Sequence, residues 1–146
     1  MSKKYQLPAF LDGIVSQEKY LRWLSRKAVA HRRSDAKRKK AGSLSTLESY
    51  KMAIHAAVIK SGGHCFYTGE FMEWDKISTY DNALSAATGI LYKRAFARLP
   101  SVDHLNPETN DAFVICSWQA NDSKNDMNHE DFISFCKKII AKHEQN

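Results

Sequence analysis

The stretch from Leu99 to Asp126, LPSVDHLNPETNDAFVICSWQANDSKND, constrains the fold more than any other part of the sequence. Two short apolar runs, one around Val102 and one at 112–118, are separated by a polar segment that contains Pro107. Proline forces a turn, and Asn and Asp are poor strand residues that favour turns and helix caps. The pattern therefore predicts a strand, a turn and a second strand, followed by a helix that begins near Asn121.

The polar residues at the ends of this hairpin are the types that phosphodiester hydrolysis uses. A divalent cation stabilises the charge that develops on phosphate, and a histidine titrating near neutral pH can deprotonate water. Mg²⁺ prefers oxygen ligands and often takes only one or two from the protein. Asp103, His104 and the amide oxygen of Asn121 offer this set. A regular strand points neighbouring residues to opposite faces, so a joint site requires a twist or break, which Asn106-Pro107 can supply.

Three motifs in this region resemble those of the HNH (His-Me finger) nucleases. CFYTGE at 65–70 is similar to the Tyr-Thr-Gly knuckle in the HNH domains of RNA-guided CRISPR nucleases. VDHLNP at 102–107 resembles their Val/Ile-Asp-His-Ile-x-Pro element, and NDSKND at 121–126 resembles their Asn-x-x-Lys helix start. The family's middle Asn matches Asn110 or Asp111. Turn or cap chemistry explains each motif alone, but three in the right order are more specific.

The resemblance implies an α+β fold with a ββα-metal (His-Me finger) core, a small β knuckle or hairpin, and additional N-terminal and C-terminal helices. It implies that Asp103 and Asn121 bind one divalent metal ion, Mg²⁺ or Mn²⁺. His104 would be the general base that activates water, and Lys124 would contact phosphate or stabilise the site.

The cysteine pattern departs from that of many HNH proteins, which carry zinc on CxxC pairs. Cys65, Cys116 and Cys136 are far apart and form no such pair, so zinc is not expected. A zinc site that uses Cys65, Cys116, His64 and another ligand remains the alternative. The simplest interpretation is three buried or partly buried thiols.

The positive charge of the chain is concentrated in one segment. Residues 22–40 carry +8, whereas the remainder carries −2. The sequence predicts a helix over 16–33 with Ser16 as its cap; the residues that follow either extend the helix or form a flexible arm, and Gly42 is the expected end. A basic block of this kind usually binds a polyanion, although it can also be a solvated charge run. The candidates for phosphate or DNA contact are Arg22, Arg26, Arg32, Arg33, Lys37, Arg38, Lys39 and Lys40.

Two more helices can be placed from their caps. Ser45 followed by Glu48 has the capping-box spacing, and Gly62-Gly63 should end that helix. A last helix is expected over 129–143 with Asn128 as its cap. Its expected core stripe is Phe132, Phe135, Cys136, Ile139 and Ile140.

The whole sequence predicts one compact domain, with a basic helical N-terminal extension (1–44) and an HNH-like nuclease core with flanking helices (45–146). It contains no run of transmembrane length and no signal-peptide segment, so we expect a cytoplasmic protein with no membrane partner. The expected function is metal-dependent hydrolysis of phosphodiester bonds in DNA, with RNA as an alternative substrate. The rival interpretations are a catalytically inactive HNH-like protein that binds nucleic acid or another protein, and a zinc-held regulatory module.

Overall fold

The fold combines helices with one small antiparallel sheet, which confirms the α+β prediction at that level. A computed structural model describes residues 4–39, 42, 44–77, 79, 82–110 and 112–145. None of the helices in these ranges has both the length and the apolar character that crossing a bilayer requires. The elements are α1 (Gln17–Lys37), α2 (Leu47–Ser61), α3 (Asn82–Thr88), α4 (Ile90–Ala95), β1 (Pro100–His104), β2 (Phe113–Ser117), α5 (Trp118–Lys124) and α6 (His129–His143).

Helix α1 begins as predicted but ends earlier than Gly42. The side chain of Ser16 accepts a hydrogen bond from the backbone N–H of Lys19 at 3.1 Å, which is the expected N-cap. The helix then continues to Lys37 because the intervening residues are mostly good helix formers. It stops where Lys39 adopts a left-handed backbone conformation with φ of 52°. The basic segment is therefore helical over most of its length.

Helix α2 is capped one residue later than predicted. Thr46 is the N-cap: its hydroxyl accepts from the backbone N–H of Ser49 at 3.0 Å, and the Ser49 hydroxyl accepts from the backbone N–H of Thr46 at 3.0 Å. The expected pair, Ser45 and Glu48, is wrong because Glu48 instead accepts a hydrogen bond from the Tyr5 hydroxyl. Both pairs fit the same local pattern, and contacts with the N-terminal segment decide between them.

The chain makes a tight turn after α2. Gly62 ends the helix in the left-handed conformation, with φ of 60°, as the Gly-Gly pair predicts. The backbone N–H of Cys65 then donates to the carbonyl of Glu70 at 2.8 Å, and that of Gly69 donates back to the carbonyl of Cys65 at 2.9 Å. This small knuckle leads toward the sheet.

Strands β1 and β2 form one antiparallel pair. The register runs from Pro100 opposite Ser117 to His104 opposite Phe113. Asp103 and His104 both lie within regular pairing, so the predicted break at this point is absent from the strand. Their side chains therefore leave the sheet on opposite faces.

Helix α5 follows β2 with no intervening loop. The Ser117 hydroxyl accepts from the backbone N–H of Ala120 at 3.1 Å and so caps the helix. The helix begins at Trp118, so the predicted start near Asn121 is wrong. Asn121 is consequently the fourth helical residue and lies beside β1 rather than at the helix end.

The hydrophobic core lies between α1, α2 and β2. Helix α1 packs on α2, α2 packs on β2, and α5 packs on both strands. The indole rings of Trp23 and Trp74 meet edge to face with their centroids 5.5 Å apart. Leu24, Ile54 and Ile115 are almost fully buried beside them. This packing holds the C-terminal half of α1 over the sheet.

Helix α6 keeps its predicted bounds and cap but buries little of its apolar face. The side chain of Asn128 accepts from the backbone N–H of Asp131 at 2.8 Å, as expected for an N-cap. Phe132 is buried and meets the Tyr67 ring edge to face at 5.6 Å. The other four residues of the stripe do not join the core, since periodicity shows that a face is apolar but not what covers it. They are Phe135 (51% exposed), Ile139 (46%), Ile140 (51%) and the half-buried Cys136.

The capping geometry of α2 can be tested by stability. We expect Thr46→Ala to lower the free energy of unfolding by about 1 kcal/mol, because the N–H of Ser49 loses its acceptor. The neighbouring Ser45→Ala should change it by at most a few tenths of a kcal/mol, roughly the range for neutral surface substitutions. Urea denaturation followed by circular dichroism measures both. Equal losses in the two variants would contradict the assignment of Thr46 as the cap.

Candidate functional site

A polar cavity of about 350 Å³ lies where α1, β1 and α5 meet. Its walls bring together residues that are distant in sequence, including the three candidates for catalysis and metal binding. They also include side chains from α1, which the motifs did not indicate. The residues relevant here are His31, Asp35, Arg38, Asp103, His104 and Asn121.

On one face of β1, Asp103 is held by two donors. Its Oδ2 accepts a hydrogen bond from the Tyr67 hydroxyl at 2.9 Å and lies 3.0 Å from the ammonium of Lys124. Burial raises the pKa of Tyr67 above its usual range, and the charge of Asp103 adds to the effect, so the phenol remains a donor. The carboxylate is thus fixed and its charge is balanced within the protein.

Lys124 lies beneath the cavity rather than at its surface. Its side chain is fully buried, and its ammonium also donates to the backbone carbonyl of His104 at 3.3 Å. Of the two roles that the resemblance implies for Lys124, this position favours stabilising the site over contacting phosphate. The ion pair with Asp103 links the end of α5 to β1.

On the other face of β1, the imidazole of His104 is held against α1. Its Nε2 lies 2.8 Å from Oδ1 of Asp35. The ring packs on Phe113 with centroids 4.6 Å apart and meets the ring of His31 edge to face at 5.2 Å. Neighbouring residues of β1 therefore belong to two separate polar networks.

The carboxylate of Asp35 is itself fixed by residues from α2 and from the hairpin turn. Its Oδ2 accepts from the Tyr50 hydroxyl at 2.9 Å, and that hydroxyl accepts from the side-chain amide of Asn110 at 3.1 Å. Burial and the hydrogen bond to Asp35 raise the pKa of Tyr50 to about 12. Asn110, one of two candidates for the family's middle Asn, thus acts on Tyr50; Asp111 lies outside the described residues.

Asn121 presents its amide oxygen toward the cavity. Its Nδ2 donates to the Ser101 hydroxyl at 2.8 Å and is 3.5 Å from the carbonyl of Val102, so Oδ1 is turned away from β1. Together with the second carboxylate oxygen of Asp103, it forms a pair of hard oxygens that suits Mg²⁺ or Mn²⁺. Among the described residues, no three His, Cys, Asp or Glu side chains cluster as a metal cage.

The basic residues of the N-terminal segment are exposed, as a surface for a polyanion requires. Arg32 donates from Nε to the carbonyl of Ser45 at 3.1 Å, which ties α1 to the segment before α2. Arg38 lines the cavity. Lys40 lies outside the described residues. The exposed residues are Arg22, Arg26, Arg32, Arg33, Lys37, Arg38 and Lys39.

Three of these arginines form a stripe that faces away from the cavity. At about 100° per residue, Arg22, Arg26 and Arg33 lie within about 40° of one another around α1. His31 and Asp35, which line the cavity, are roughly 140–180° away around the same helix. We call the three arginines the arginine stripe. It and the cavity occupy opposite sides of α1.

Three residues of the site were missed by sequence reasoning: His31, Asp35 and Tyr67. Asp35 did carry a signal, because it is the one acidic residue in 22–40 and follows the buried Ala28 by seven positions, the spacing of one helical face. Tyr67 stood inside a recognised motif, but nothing in the sequence placed its hydroxyl on a carboxylate 36 positions away.

Comparison of the chain with protein-family models, with curated proteins and with solved structures gave no match. The functional assignment therefore depends on the sequence motifs and on the chemistry of the cavity. The features that bear most directly on it are the two networks on either face of β1 and the oxygen pair of Asp103 and Asn121.

The buried ion pair of the site can be tested by removing its cation. We expect Lys124→Met to lower the free energy of unfolding by about 3–5 kcal/mol, because the carboxylate of Asp103 keeps its burial and loses its countercharge. Lys142→Met, an exposed lysine on α6, should change it by less than about 0.5 kcal/mol. Asp103→Asn should cost less in the Lys124→Met background than in the wild type, as a double-mutant cycle in urea would measure. Additive losses would contradict the pairing.

Proposed function

We propose that this protein is a metal-dependent endonuclease of the HNH type that hydrolyses phosphodiester bonds in DNA and acts in the cytoplasm. One observation carries the proposal: Asp103, His104 and Asn121, drawn from two separate motifs, line the same polar cavity. The unit β1–β2–α5, preceded by the knuckle, would then be the ββα-metal core that the resemblance implies. RNA remains an alternative substrate.

In this proposal each residue of the cavity has a defined task. The oxygens of Asp103 and Asn121 hold one Mg²⁺ or Mn²⁺, which when bound stabilises negative charge on the phosphate and the leaving oxygen. His104 removes a proton from the attacking water. Lys124 keeps the Asp103 carboxylate in place, and Arg38 binds a phosphate oxygen at the cavity mouth.

The arginine stripe would bind the phosphate backbone without reading its sequence. Because the stripe and the cavity lie on opposite sides of α1, a bound strand must pass around the C-terminal end of the helix to reach the site. Arg38 and Lys39 lie at that end and extend the positive surface toward the cavity. The geometry therefore separates residues that hold the nucleic acid from those that meet the scissile phosphate.

A second function, binding without catalysis, is favoured by a different observation. Asp103 and His104 are both buried, and each already has an internal partner, Lys124 or Asp35. A site whose charges are balanced internally is stable without a ligand. Such a protein would bind nucleic acid through α1 and leave it intact.

The base can be tested with supercoiled plasmid. We expect the wild type to cleave in Mg²⁺ or Mn²⁺ and to lose activity in excess chelator. His104→Ala should lower the rate by roughly 10²–10⁴-fold, the usual cost of losing a general base. His143→Ala, at the exposed end of α6, should retain wild-type activity. Full cleavage in chelator, or by a folded His104→Ala protein, would refute the mechanism, and no cleavage by the wild type in either metal would favour the binding protein.

The arginine stripe can be tested by the salt dependence of binding. Replacing its three arginines with Gln should weaken DNA binding and lower the slope of log affinity against log salt by up to about 0.9 per lost contact. The single-turnover rate at saturating DNA should stay the same. Fluorescence anisotropy at several salt concentrations gives both quantities. The matched control makes the same change in charge on α6, at Lys137, Lys138 and Lys142.

If the stripe variant and the α6 control bind DNA equally well and with equal slopes, the stripe is a solvated charge run. The DNA-binding surface must then lie elsewhere on the protein.

A further inference from the structure

We propose that Asp35 is a positioning residue for His104. Its carboxylate holds the imidazole in the tautomer with hydrogen on Nε2, so that Nδ1 is the nitrogen that accepts the proton of water. The inference rests on the proposed function and deepens it. It gives α1 a part in preparing the base as well as in binding nucleic acid.

The hydrogen bond itself defines the tautomer. Nε2 of His104 and Oδ1 of Asp35 are 2.8 Å apart, and the two residues are only 6% and 2% exposed. A carboxylate has no hydrogen to donate, so Nε2 must be the donor. In a neutral imidazole the other nitrogen is then the acceptor. The partner of one ring nitrogen thereby sets the chemistry of the other.

Asp35 can fix the ring because its own position is fixed. Tyr50 donates to its second oxygen at 2.9 Å, and Asn110 donates to Tyr50 at 3.1 Å and to the backbone carbonyl of Leu44 at 2.8 Å. Rotation of the carboxylate would break a buried hydrogen bond, which costs about 1–3 kcal/mol. The chain of contacts therefore runs from the hairpin turn through α2 and α1 to the base.

The other charged groups around His104 do not compete for Nε2. His31 meets the ring edge to face, and Lys124 contacts only its backbone carbonyl. Asp103 is engaged on the opposite face of β1, whereas Arg38 and Asp126 lie on the cavity wall. Asp35 is the group whose carboxylate lies at hydrogen-bond distance from the imidazole.

A purely structural role for this hydrogen bond is the competing explanation. Buried pairs of this kind are a weak source of stability, since apolar residues of similar volume often replace them without loss. Stability alone therefore cannot distinguish the two roles. The state of the ring and the rate of the chemical step can.

The decisive variant is Asp35→Asn, which keeps the shape of the side chain. Its amide can still accept from Tyr50, but it presents an NH₂ group to Nε2 and so favours the tautomer with hydrogen on Nδ1. Tyr50→Phe is the matched control, because it removes a hydrogen bond from the same network and leaves the carboxylate in place. Asp35→Glu retains a carboxylate and serves as the conservative variant.

Nitrogen NMR of the His104 ring, single-turnover cleavage at saturating DNA, DNA affinity and urea denaturation should be measured for all four proteins. We expect an Nε2–H ring in the wild type, in Tyr50→Phe and in Asp35→Glu, and an Nδ1–H ring in Asp35→Asn. The cleavage rate of Asp35→Asn should fall by roughly 10²–10⁴-fold, with DNA affinity unchanged. Tyr50→Phe should lose less than about tenfold, and Asp35→Glu should recover part of the rate.

Several results would overturn the proposal. One is an Nδ1–H ring in the wild type, and another is wild-type cleavage by a folded Asp35→Asn protein. A third is a loss of rate that follows stability equally in Asp35→Asn and Tyr50→Phe. If Asp35→Asn does not fold, the wild-type ring and Asp35→Glu still decide. If the wild type cleaves nothing, the proposed function fails, while the ring spectra still show whether Asp35 sets the tautomer.

Discussion

The buried hydrogen bond between Asp35 and His104 is the contact on which the cavity depends. It joins the end of α1 to the end of β1 across 69 positions of sequence, in a region where both partners are nearly free of water. The same carboxylate binds Tyr50 of α2, so the two helices and the sheet meet at one polar point beside the hydrophobic core. Without α1 in this place, the cavity would lose one wall, including His31 and Arg38.

The alternation of side chains along β1 gives two adjacent residues different surroundings. Asp103 faces an ammonium and a phenol, whereas His104 faces a carboxylate and an aromatic ring. In both networks a tyrosine whose pKa is raised by burial donates to a carboxylate. A single strand can thus hold a charged ligand group on one face and a group suited to proton transfer on the other, with a shared opening at its end.

Local signals in the sequence predicted the elements well, because caps and alternation act over a few residues. The caps Ser16 and Asn128, both strands and the Gly62 stop are of this kind. The choice of Thr46 over Ser45 could not be predicted, since it depends on a contact between Glu48 and the N-terminal segment. The exposed stripe of α6 was misassigned because periodicity does not identify a partner surface.

The candidate site was predictable to the extent that it lies in motifs. Asp103, His104 and Asn121 could be named from three short stretches, and all three line the cavity. Asp35 could not be paired with His104, because a contact across 69 positions leaves no trace in local periodicity. The same distance has a kinetic consequence: contacts of large sequence separation pay the entropy of closing a long loop. During synthesis α1 emerges long before β1, so the imidazole gains its carboxylate partner only when most of the chain has been made.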